Sequence, residues 1–547
     1  MHQFFFGNAF SLWLTIAICL LSTINSSIYY TYFWQLKEYR WDRMKDFLST
    51  KSGNEKIFTL SLVLKFIALF GFIYAVIDPN IIFRIRGEYI WLGMFLVALI
   101  DCISLALRVI KKKVYRPTWT GKALAIVFLT VVLSLLLGPV LTRYFNPFLW
   151  VYFLPLISAA AAVISPFINA LLIAVFYPLT QFSKSRKLAQ ARRKVAQMQG
   201  LKVIGITGSY GKSSVKEFLS QMLEKKFNVL KTPGNTNTEI GVAEVVLRNL
   251  KPEHQVFIVE AGAYKIGEIK KIADMVKPRI GIITAVKDAH LGLFGSLENI
   301  KKAKFELIES LPEFGVAIFN NDNTGSAELA GRAKNKVIRY GRSNGSDLIA
   351  EKLSADVDGI DFEVKGVKFR APLPGLQNVS NILGAMAAAL ELGMKLEELV
   401  EPVAKLKLRE HTLTVKKVSE KLVIVDDTYN ANPDGVIAGL DYIALYNDWQ
   451  KIVVFPGMLE LGEKTNDEHE RVAKKMTEVC DQVILTSHDF DKPLLKAFEE
   501  KKYANYSHYI ENQLGITQLL QQKIADKKTV ILFVSRGSEM VIKKLSQ

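Results

Sequence analysis

The sequence of 547 residues is poor in cysteine, with only Cys19, Cys102 and Cys480 spread along it. Two of the three fall in apolar segments, and no pair has the spacing of metal ligands. We therefore infer neither disulfide bridges nor a zinc site. The length exceeds what one hydrophobic core supports, and it predicts three or four domains.

Acidic residues are also scarce relative to basic ones, at 53 against 70, which leaves a formal charge of +17. Half of the residues are nevertheless hydrophobic. These two properties conflict in a soluble protein but agree in a membrane protein with basic cytoplasmic flanks. Because the basic residues are concentrated beside apolar segments, membrane topology explains them better than nucleic-acid binding, and we expect no nucleic-acid partner.

Five apolar stretches are long enough to cross a bilayer as helices, which takes about 20 residues. They cover approximately residues 8–30, 57–77, 90–110, 123–142 and 148–176. Basic residues cluster in alternate loops and after the last stretch, so the positive-inside rule places the N-terminus outside and everything after about residue 183 in the cytoplasm. The sequence thus predicts a multi-pass protein of the cell (inner) membrane. Pro155, Pro166 and Pro178 leave open a kinked or partly re-entrant fifth segment.

Two ionisable residues lie inside the predicted spans. Lys65 is about 12 Å from the cytoplasmic end of its span and Asp101 about 13–14 Å from that of the next, at about 1.5 Å per helical residue. The matching depths predict that the two side chains pair, since charges inside a membrane are costly and usually partnered. We favour a structural ion pair over a transport site.

Residues Val203 to Ser214, VIGITGSYGKSS, join an apolar strand to a glycine-rich loop that ends in Gly211-Lys212-Ser213. Backbone N–H groups beside the glycines can hold phosphates at the start of the following helix. Lys212 can reach the terminal phosphates, and the Ser213 hydroxyl can ligate magnesium. A simple strand–helix turn would need neither the lysine nor the serines after it, so the stretch predicts a nucleoside triphosphate site.

From residue 201 onward, short apolar strands alternate with amphipathic helices, which indicates βαβ units and a largely parallel sheet of the α/β class. The predicted strands are Val203–Ile206, Val256–Val259, Ile280–Thr284, Val316–Phe319, Leu422–Val425, Ile452–Phe455, Val483–Thr486 and Val530–Val534. A new strand pattern after a Leu- and Lys-rich helical stretch indicates a domain boundary near residue 408.

Several polar residues lie at or beyond the ends of these strands, where open α/β sheets bind ligands. Glu260 ends one strand, His290 follows another, and Asp426 and Asp427 end a third, while Lys304 lies on a helix. Each alone is more often structural. A magnesium–nucleotide site on the same sheet needs carboxylate or imidazole partners, which makes these five residues candidates.

Eight stretches after residue 201 occur together in a characteristic order. They are GITGSYGKSS (205–214), TPGNTNTEIG (232–241), AHLGLFGSLENIKKAKFEL (289–307), FNNDN (319–323), LPGLQNVSN (373–381), DDTYNANPDG (426–435), PGMLELGEKTNDEH (456–469) and SRGSEM (535–540). The set resembles the Mur ligases, the ATP-dependent amide-forming enzymes of peptidoglycan precursor synthesis. DDTYNANP and MLELGE are most similar to the branch that adds D-alanyl-D-alanine to a UDP-muramoyl-tripeptide.

The resemblance implies a domain organisation and cofactors. A P-loop Mur ligase central domain would occupy residues 201–408 and a Rossmann-like C-terminal ligase domain residues 409–547. A transmembrane domain at 1–182 and a basic cytoplasmic linker at 183–200 would precede them. The cofactors would be ATP and two magnesium ions, together with CO2 bound as a carbamate on Lys304.

The resemblance also implies site residues. Catalysis would involve Lys212, Glu260, His290 and carbamylated Lys304. ATP would contact Gly208, Ser209, Gly211, Lys212, Ser213 and Ser214, with Asn320 at adenine, Asp427 at ribose and Arg409 at the domain hinge. Magnesium would be held by Ser213, Glu260, His290 and the Lys304 carbamate. The substrates would contact Thr232, Asn235, Asn237, Asn430 and Asn432.

The family ordinarily begins with a soluble domain that binds the UDP-sugar. Here only about 20 residues separate the last apolar stretch from the phosphate loop, whereas a domain needs about 50. We therefore expect a ligase that adds D-Ala-D-Ala or a similar amine to a muramoyl-peptide carboxylate through an acyl phosphate. A lipid-linked or other membrane-borne carboxylate is the alternative acceptor. An ATP-driven transporter is a remote alternative, because the predicted spans hold few ionisable residues.

Overall fold

The computed structural model describes residues 9–49, 51–59, 61–67, 70, 87–110, 115–142, 150–287, 294–408, 412–428, 431–458, 461, 464–510, 512–535 and 537–547. The chain divides into two units, Met1–Ser183 and Lys184–Gln547, which we describe in turn. The first unit is helical, whereas the second consists of strands alternating with helices.

Helices lie on all five predicted apolar stretches of the first unit. Their bounds are Ala9–Leu36, Trp41–Ser49, Lys51–Ile57, Gly87–Ile110, Gly121–Thr142 and Trp150–Ala196, the last of which continues into the second unit. Residues 61–67 of the second stretch are also helical, and 68–69 and 71–86 lie outside the described residues. From Trp150 the fifth stretch is part of one continuous helix that runs through Pro155, Pro166 and Pro178, so the re-entrant alternative is wrong.

Within the described residues, one helical segment, Val163–Ala196, is long and apolar enough to cross a membrane by length and composition. Gly121–Ser134 is a shorter apolar helix. Because the core helix of a soluble protein can pass the same test, the multi-span membrane domain stays a prediction.

In the first unit, large apolar side chains are exposed on the surface, and several polar side chains are buried alongside the apolar core. On two helices, large apolar side chains that are 45–75% exposed recur every three or four residues, at Leu96, Ile100, Ile103, Leu107, Ile110, Phe167, Leu171, Val175 and Leu179. The buried side chains include Ser22, Ser27, Thr31, Lys65, Asp101, Thr130 and Asn169. Contiguous exposed apolar surface of this kind marks a site of contact with lipid or protein.

The predicted pair of Lys65 and Asp101 is confirmed. The Lys65 ammonium contacts the Asp101 carboxylate, and the two side chains are 4% and 9% exposed. Ser22 Oγ donates to Asp101 Oδ2 at 2.8 Å, and Ser61 Oγ donates to Asp101 Oδ1. Both carboxylate oxygens are therefore hydrogen-bonded, which offsets the cost of burying the charge.

Seven parallel strands form the larger sheet of the second unit, in the order β2-β3-β1-β4-β5-β6-β7. They are β1 Lys202–Thr207, β2 Val229–Lys231, β3 Val256–Glu260, β4 Ile280–Ile283, β5 Val316–Asn320, β6 Lys336–Gly341 and β7 Leu348–Ile349. The carboxyl ends of parallel strands meet at one edge, so the ends of β3, β1, β4 and β5 lie side by side there.

Helices cover this sheet, and the residues of β1, β3, β4 and β5 are buried at almost every position, as expected for a parallel sheet buried on both faces. The helices are Lys212–Leu223, Glu239–Asn249, Glu268–Val276, Leu297–Glu309, Thr324–Ala330 and Gln377–Glu391. A short antiparallel sheet follows β7, made of β8 Glu351–Asp356, β9 Gly359–Val364 and β10 Val367–Ala371. A 3-10 turn, Glu397–Leu399, and a helical turn, Val400–Val403, come after it.

The last sheet has six strands in the order β11-β12-β16-β13-β14-β15, of which β11 is antiparallel. The strands are β11 Thr414–Ser419, β12 Leu422–Asp427, β13 Gln450–Phe455, β14 Gln482–Leu485, β15 Tyr506–His508 and β16 Thr529–Val534. Its helices are Pro433–Ala444, Thr465–Val479, Asp491–Glu500, Gln513–Asp526 and Glu539–Leu545. All eight predicted strands are present, and the additional strands are mostly short or at sheet edges.

The segment 183–200 is helical as far as Ala196, and from Lys184 onward it is part of the folded second unit. Ala191 and Val195 are buried in the cluster that contains the apolar side of the helix Glu239–Asn249. Lys187 Nζ lies 2.9 Å from Glu244 Oε1 on that helix, and Lys194 Nζ donates to a carbonyl near its end at 2.9 Å. The basic segment therefore packs against the rest of the second unit and is more than a linker.

Removing one member of the Lys65–Asp101 pair should destabilise the protein more than removing both. Lys65→Met or Asp101→Asn alone leaves a buried group without its partner, which typically costs about 3–5 kcal/mol when a charge remains. In the double variant neither charge is left. We expect the thermal unfolding midpoint of the detergent-solubilised chain to fall in each single variant and partly recover in the double. Simple addition of the two losses would contradict the pairing.

Candidate active site

The phosphate loop, residues 208–211, connects β1 to the helix Lys212–Leu223. Two of its glycines are required by the geometry. A Cβ at Gly208 would clash with Thr284 Oγ1 and lie 2.9 Å from the backbone nitrogen of Ala285. Gly211 has a φ of +81°, and a Cβ there would lie 2.6 Å from Asn381 Oδ1. The loop therefore turns tightly into the helix N-terminus, where free N–H groups favour phosphate.

Residues 284–287, which follow β4, hold the phosphate loop in place. Ser209 N donates to Ala285 O at 2.7 Å, and Ser209 Oγ accepts from Lys287 N at 2.9 Å. Thr284 Oγ1 donates to Tyr210 O. Because backbone and side-chain bonds fix both ends of the turn, the loop has its shape before any ligand binds.

Lys212 lies against the loop that precedes it. Its Nζ donates to Gly208 O at 2.6 Å. Burial lowers the pKa of this ammonium group, and the nearby Glu260 carboxylate counteracts part of that effect. The ammonium group thus lies beside the turn whose N–H groups would face the phosphates, as its predicted role requires.

Glu260, at the end of β3, joins the phosphate-loop helix to the connection that leads into the helix Glu239–Asn249. We call this connection, together with the first residues of that helix, the loop 232–241; it contains the predicted substrate residues Thr232, Asn235 and Asn237. Its Oε2 accepts from Ser213 Oγ at 2.9 Å and from Lys216 Nζ at 3.2 Å. Its Oε1 accepts from Asn237 Nδ2 at 2.9 Å. The carboxylate is 1% exposed and is the point at which the predicted nucleotide and substrate residues meet.

The charge of Glu260 is set by its neighbours. Burial alone would raise the pKa of this carboxyl. The charges of Lys212 and Lys216, with the hydrogen bonds from Asn237 and Ser213, outweigh burial and lower it. Glu260 is therefore an anion at neutral pH, which suits a ligand for a hard cation such as magnesium.

Lys304 lies within electrostatic range of Lys212. Its side chain is 6% exposed, and within the described part of the chain no hydrogen-bond or ion-pair partner faces its ammonium group. Burial lowers the pKa of Lys304 well below its usual range, and the charge of Lys212 lowers it further. Both effects favour the neutral, nucleophilic amine form of this side chain.

The predicted adenine and ribose residues lie at the ends of strands. Asn320, at the end of β5, donates through Nδ2 to Thr284 O at 2.9 Å, and its Oδ1 accepts from Asp322 N at 3.0 Å. Asp427, at the end of β12, accepts from Leu413 N at 3.1 Å. Burial raises the pKa of Asp427 to about 7, against the effect of that hydrogen bond.

The remaining predicted residues divide into three groups. Thr232 supports Glu260, since its Oγ1 accepts from Glu260 N at 3.1 Å, whereas Asn235 is exposed on the same loop. Ser214 lies in the first turn of the phosphate-loop helix, and Asn432 accepts from Gly435 N as the N-cap of Pro433–Ala444. His290, Arg409 and Asn430 lie outside the described residues.

The sequence analysis missed Lys216, which is fully buried. It donates to Gly234 O of the loop 232–241 as well as to Glu260. The available signal was its spacing of four from Lys212, which places both lysines on one face of a helix.

A second missed feature links the domains that carry the two large sheets. Lys287 pairs with Asp434, which also accepts from Arg471 Nη2 at 2.9 Å. Burial would raise the pKa of Asp434, but these two cations lower it. Tyr442 Oη, which belongs to the last sheet's domain, donates to Val357 O at 2.9 Å. No local sequence pattern indicates either contact, because the partners are distant in the chain.

Two protein-family models match the second unit. The Mur ligase middle domain matches residues 206–389, and the model described as Mur ligase, glutamate ligase domain matches residues 413–537. The first range contains the seven-stranded sheet except for the first four residues of β1, and the second contains the whole six-stranded sheet. They confirm the predicted α/β ligase fold of this unit.

Proteins called UDP-N-acetylmuramoyl-tripeptide–D-alanyl-D-alanine ligase are similar in sequence. That of Synechocystis sp. is 36% identical over 289 residues, 52% of this chain and 62% of the relative. That of Bacillus subtilis is 30% identical over 362 residues, 64% of this chain and 77% of the relative. The chain spans about three fifths of the length of the first curated relatives it matches.

A solved structure supports the same relationship. The MurF ligase of Thermotoga maritima, in complex with ADP, superimposes with a TM-score of 0.58 and 25% sequence identity. The match covers 66% of this chain and 83% of the Thermotoga chain.

Replacing Lys216 by methionine should destabilise the second unit strongly, because Glu260 would lose a buried cation and Gly234 O a donor. Breaking a buried pair in this way costs about 3–5 kcal/mol. The matched control is Lys226→Met, whose partner Glu398 is 3.2 Å away with both side chains 43% exposed, and which should cost under about 1 kcal/mol. Thermal unfolding of both variants measures the difference, and equal midpoints would contradict the role of Lys216.

Proposed function

Because the chain belongs to the Mur ligase family, we propose that it is an ATP-dependent ligase of peptidoglycan precursor synthesis. It would join D-Ala-D-Ala or a similar amine to the carboxylate of a muramoyl-peptide. The observation that carries this proposal is the position of Glu260, which is hydrogen-bonded to Ser213 of the phosphate-loop helix and to Asn237 of the loop 232–241. Phosphoryl transfer to a carboxylate needs nucleotide and acceptor side by side, and these contacts support that arrangement.

ATP would be the phosphoryl donor, held by the phosphate loop and Lys212, with Asn320 at adenine, Asp427 at ribose and Arg409 at the hinge. Two magnesium ions would neutralise the phosphate oxygens when bound. The Ser213 hydroxyl and the Glu260 carboxylate are oxygen ligands of the kind magnesium prefers, so this part of the site fits the ion. His290 and the modified side chain of Lys304 would complete the ligand set.

Carbamylation of Lys304 fits the state of that side chain. A neutral amine can add to CO2 with formation of a nitrogen–carbon bond and loss of one proton, which converts the neutral group into an anionic carbamate. Burial and the lack of a partner within the described residues favour the neutral amine that this addition needs. The product would also place a negative charge beside Lys212, which would offset the repulsion that lowers the pKa of Lys304.

The proposed reaction has two steps. An acceptor carboxylate oxygen attacks the γ-phosphorus of ATP, the bond to the β-phosphate oxygen breaks, and ADP and an acyl phosphate form. The amine then attacks the acyl carbon, the carbon–oxygen bond breaks, and inorganic phosphate leaves as the amine loses a proton. Lys212 would hydrogen-bond to the transferring group, where preorganised cations stabilise developing charge most effectively.

We further propose a membrane domain at residues 1–182, with a linker at 183–200, the ATP-binding domain at 201–408 and the C-terminal ligase domain at 409–547. The exposed apolar stripes and buried polar side chains of the first unit support its contact with lipid. The ligase domains would then lie on the cytoplasmic side of the cell membrane. The same stripes favour a second candidate acceptor, a lipid-linked muramoyl-peptide presented at the inner leaflet.

Purified full-length chain should release ADP over repeated turnovers only when ATP, an amine and a muramoyl-peptide acceptor are all present. Lys304→Ala should abolish this release and recover part of it with added short-chain carboxylates, which can replace the lost anion. Lys212→Ala should abolish it without recovery, and Lys302→Ala, an exposed neighbour on the same helix, should leave it unchanged.

The assay compares UDP-linked with lipid-linked acceptor and D-Ala-D-Ala with other amines. Full activity of Lys304→Ala without added carboxylate would contradict the carbamate, and ADP release without any acceptor would contradict the ligase.

The KM for ATP should rise as the pH falls below about 7, because Asp427 then binds a proton and loses an acceptor for the ribose hydroxyls. A hydrogen bond to a charged group contributes about 1.5–3 kcal/mol, so the change should be tenfold or more. The Asp427→Asn variant has no titrating group there and should lack this part of the pH dependence. Initial-rate measurements of the KM for ATP across this pH range, on the wild type and on Asp427→Asn, test this prediction. Identical pH profiles of the two proteins would contradict the role of Asp427.

A further inference from the structure

Three side chains of types that can ligate a metal meet beside the edge strand β15 of the six-stranded sheet. His488 lies in the connection after β14, Asp491 is the first residue of the helix Asp491–Glu500, and His508 ends the edge strand β15. Their potential ligand atoms all lie within 4.8 Å of one another. Three separate elements of the fold therefore converge on one point.

The Asp491 carboxylate lies between the two imidazoles. Its Oδ2 is 2.7 Å from His488 Nδ1, and its Oδ1 is 2.9 Å from His508 Nε2. The two rings are stacked, with centroids 4.6 Å apart and planes 28° apart. One nitrogen of each ring is thus directed at the same carboxylate group.

We propose that His488, Asp491 and His508 form a binding site for a divalent transition-metal ion of the zinc type. Two imidazole nitrogens and a carboxylate oxygen suit zinc, cobalt or nickel, whereas magnesium prefers oxygen ligands only. Zinc–nitrogen bonds are about 2.0–2.1 Å long, so modest side-chain movements would bring the three atoms around one ion. Each ring would carry its proton on the nitrogen that faces away from the ion.

Exposure of the cluster suits an ion that exchanges with solvent. The His488 side chain is 62% exposed, whereas those of Asp491 and His508 are 25% and 23% exposed. Two ligands are thus fixed by the fold, and the third is free to adjust. Water can fill the remaining positions on the open side, as in zinc sites with three protein ligands.

The site is connected to the loop that follows β13 through Phe490, which lies between His488 and Asp491 in the chain. The Phe490 ring stacks on the buried His469 ring, with centroids 4.2 Å apart and planes 12° apart. His469 Nε2 accepts from Met458 N at 3.0 Å, and a Cβ at Gly457 would clash with the Phe490 ring. An ion bound by His488 and Asp491, which lie on either side of Phe490 in the chain, would hold the Phe490 ring against residues 457–458.

Metal binding to the full-length, metal-stripped chain tests the site, with Co2+ as a spectroscopic probe and saturating Mg–ADP to occupy the nucleotide site. We expect one Co2+ ion per chain with an absorption spectrum typical of nitrogen and oxygen ligands. His488→Ala and His508→Ala should each weaken binding by at least about tenfold, the lower end of the cost of losing even an outer-shell partner. The control His254→Ala, a histidine elsewhere on the second unit, should bind as the wild type does.

Zn2+ should also raise the thermal unfolding midpoint of the wild type but not that of His488→Ala. Because His488 is mostly exposed, this variant should have the wild-type midpoint without metal, which separates loss of binding from loss of folding. Unchanged Co2+ affinity in both histidine variants would overturn the proposal. Neither Co2+ binding nor the unfolding midpoint depends on ligase activity, so failure of the metal site can be distinguished from failure of the proposed ligase reaction.

Discussion

One buried carboxylate constrains the candidate site. Glu260 is almost completely removed from water at the end of a central strand, so its charge is tolerable only if both oxygens are hydrogen-bonded and a cation is near. The partners come from the phosphate-loop helix, through Ser213 and Lys216, and from the loop 232–241, through Asn237. Burial of this carboxylate therefore requires the phosphate-loop helix and the loop 232–241 to lie in contact. The geometry of the site follows from that requirement.

The same region carries more basic side chains than one carboxylate neutralises. The charges of Lys212 and Lys216 lower the pKa of Glu260. Lys304 is buried close enough to Lys212 for the two positive charges to repel each other. Burial and this repulsion favour the neutral form of Lys304, which has no hydrogen-bond or ion-pair partner among the described residues. A polyanionic ligand relieves this imbalance, which gives the site an electrostatic preference for phosphates.

Local patterns in the sequence predicted much of this arrangement, but contacts between distant elements could not be read from it. Apolar runs predicted eight of the sixteen described strands, and matching depths predicted the Lys65–Asp101 pair. The role of Lys216 depends on the loop 232–241 folding back over its helix, and the pair of Lys287 and Asp434 depends on two domains meeting. Short edge strands such as β15 were missed because three residues carry no periodic signal.

The pair of Lys287 and Asp434 connects the residues that brace the phosphate loop to the domain of the last sheet. Its side chains are 48% and 34% exposed, so dissolved ions reach it, unlike the buried Tyr442 side chain. Attraction between exposed charges is screened over about 8 Å at physiological ionic strength. The ionic contact between the two domains therefore weakens as the ionic strength of the surrounding solution rises, whereas the hydrogen bond from Tyr442 to Val357 O is not subject to this screening.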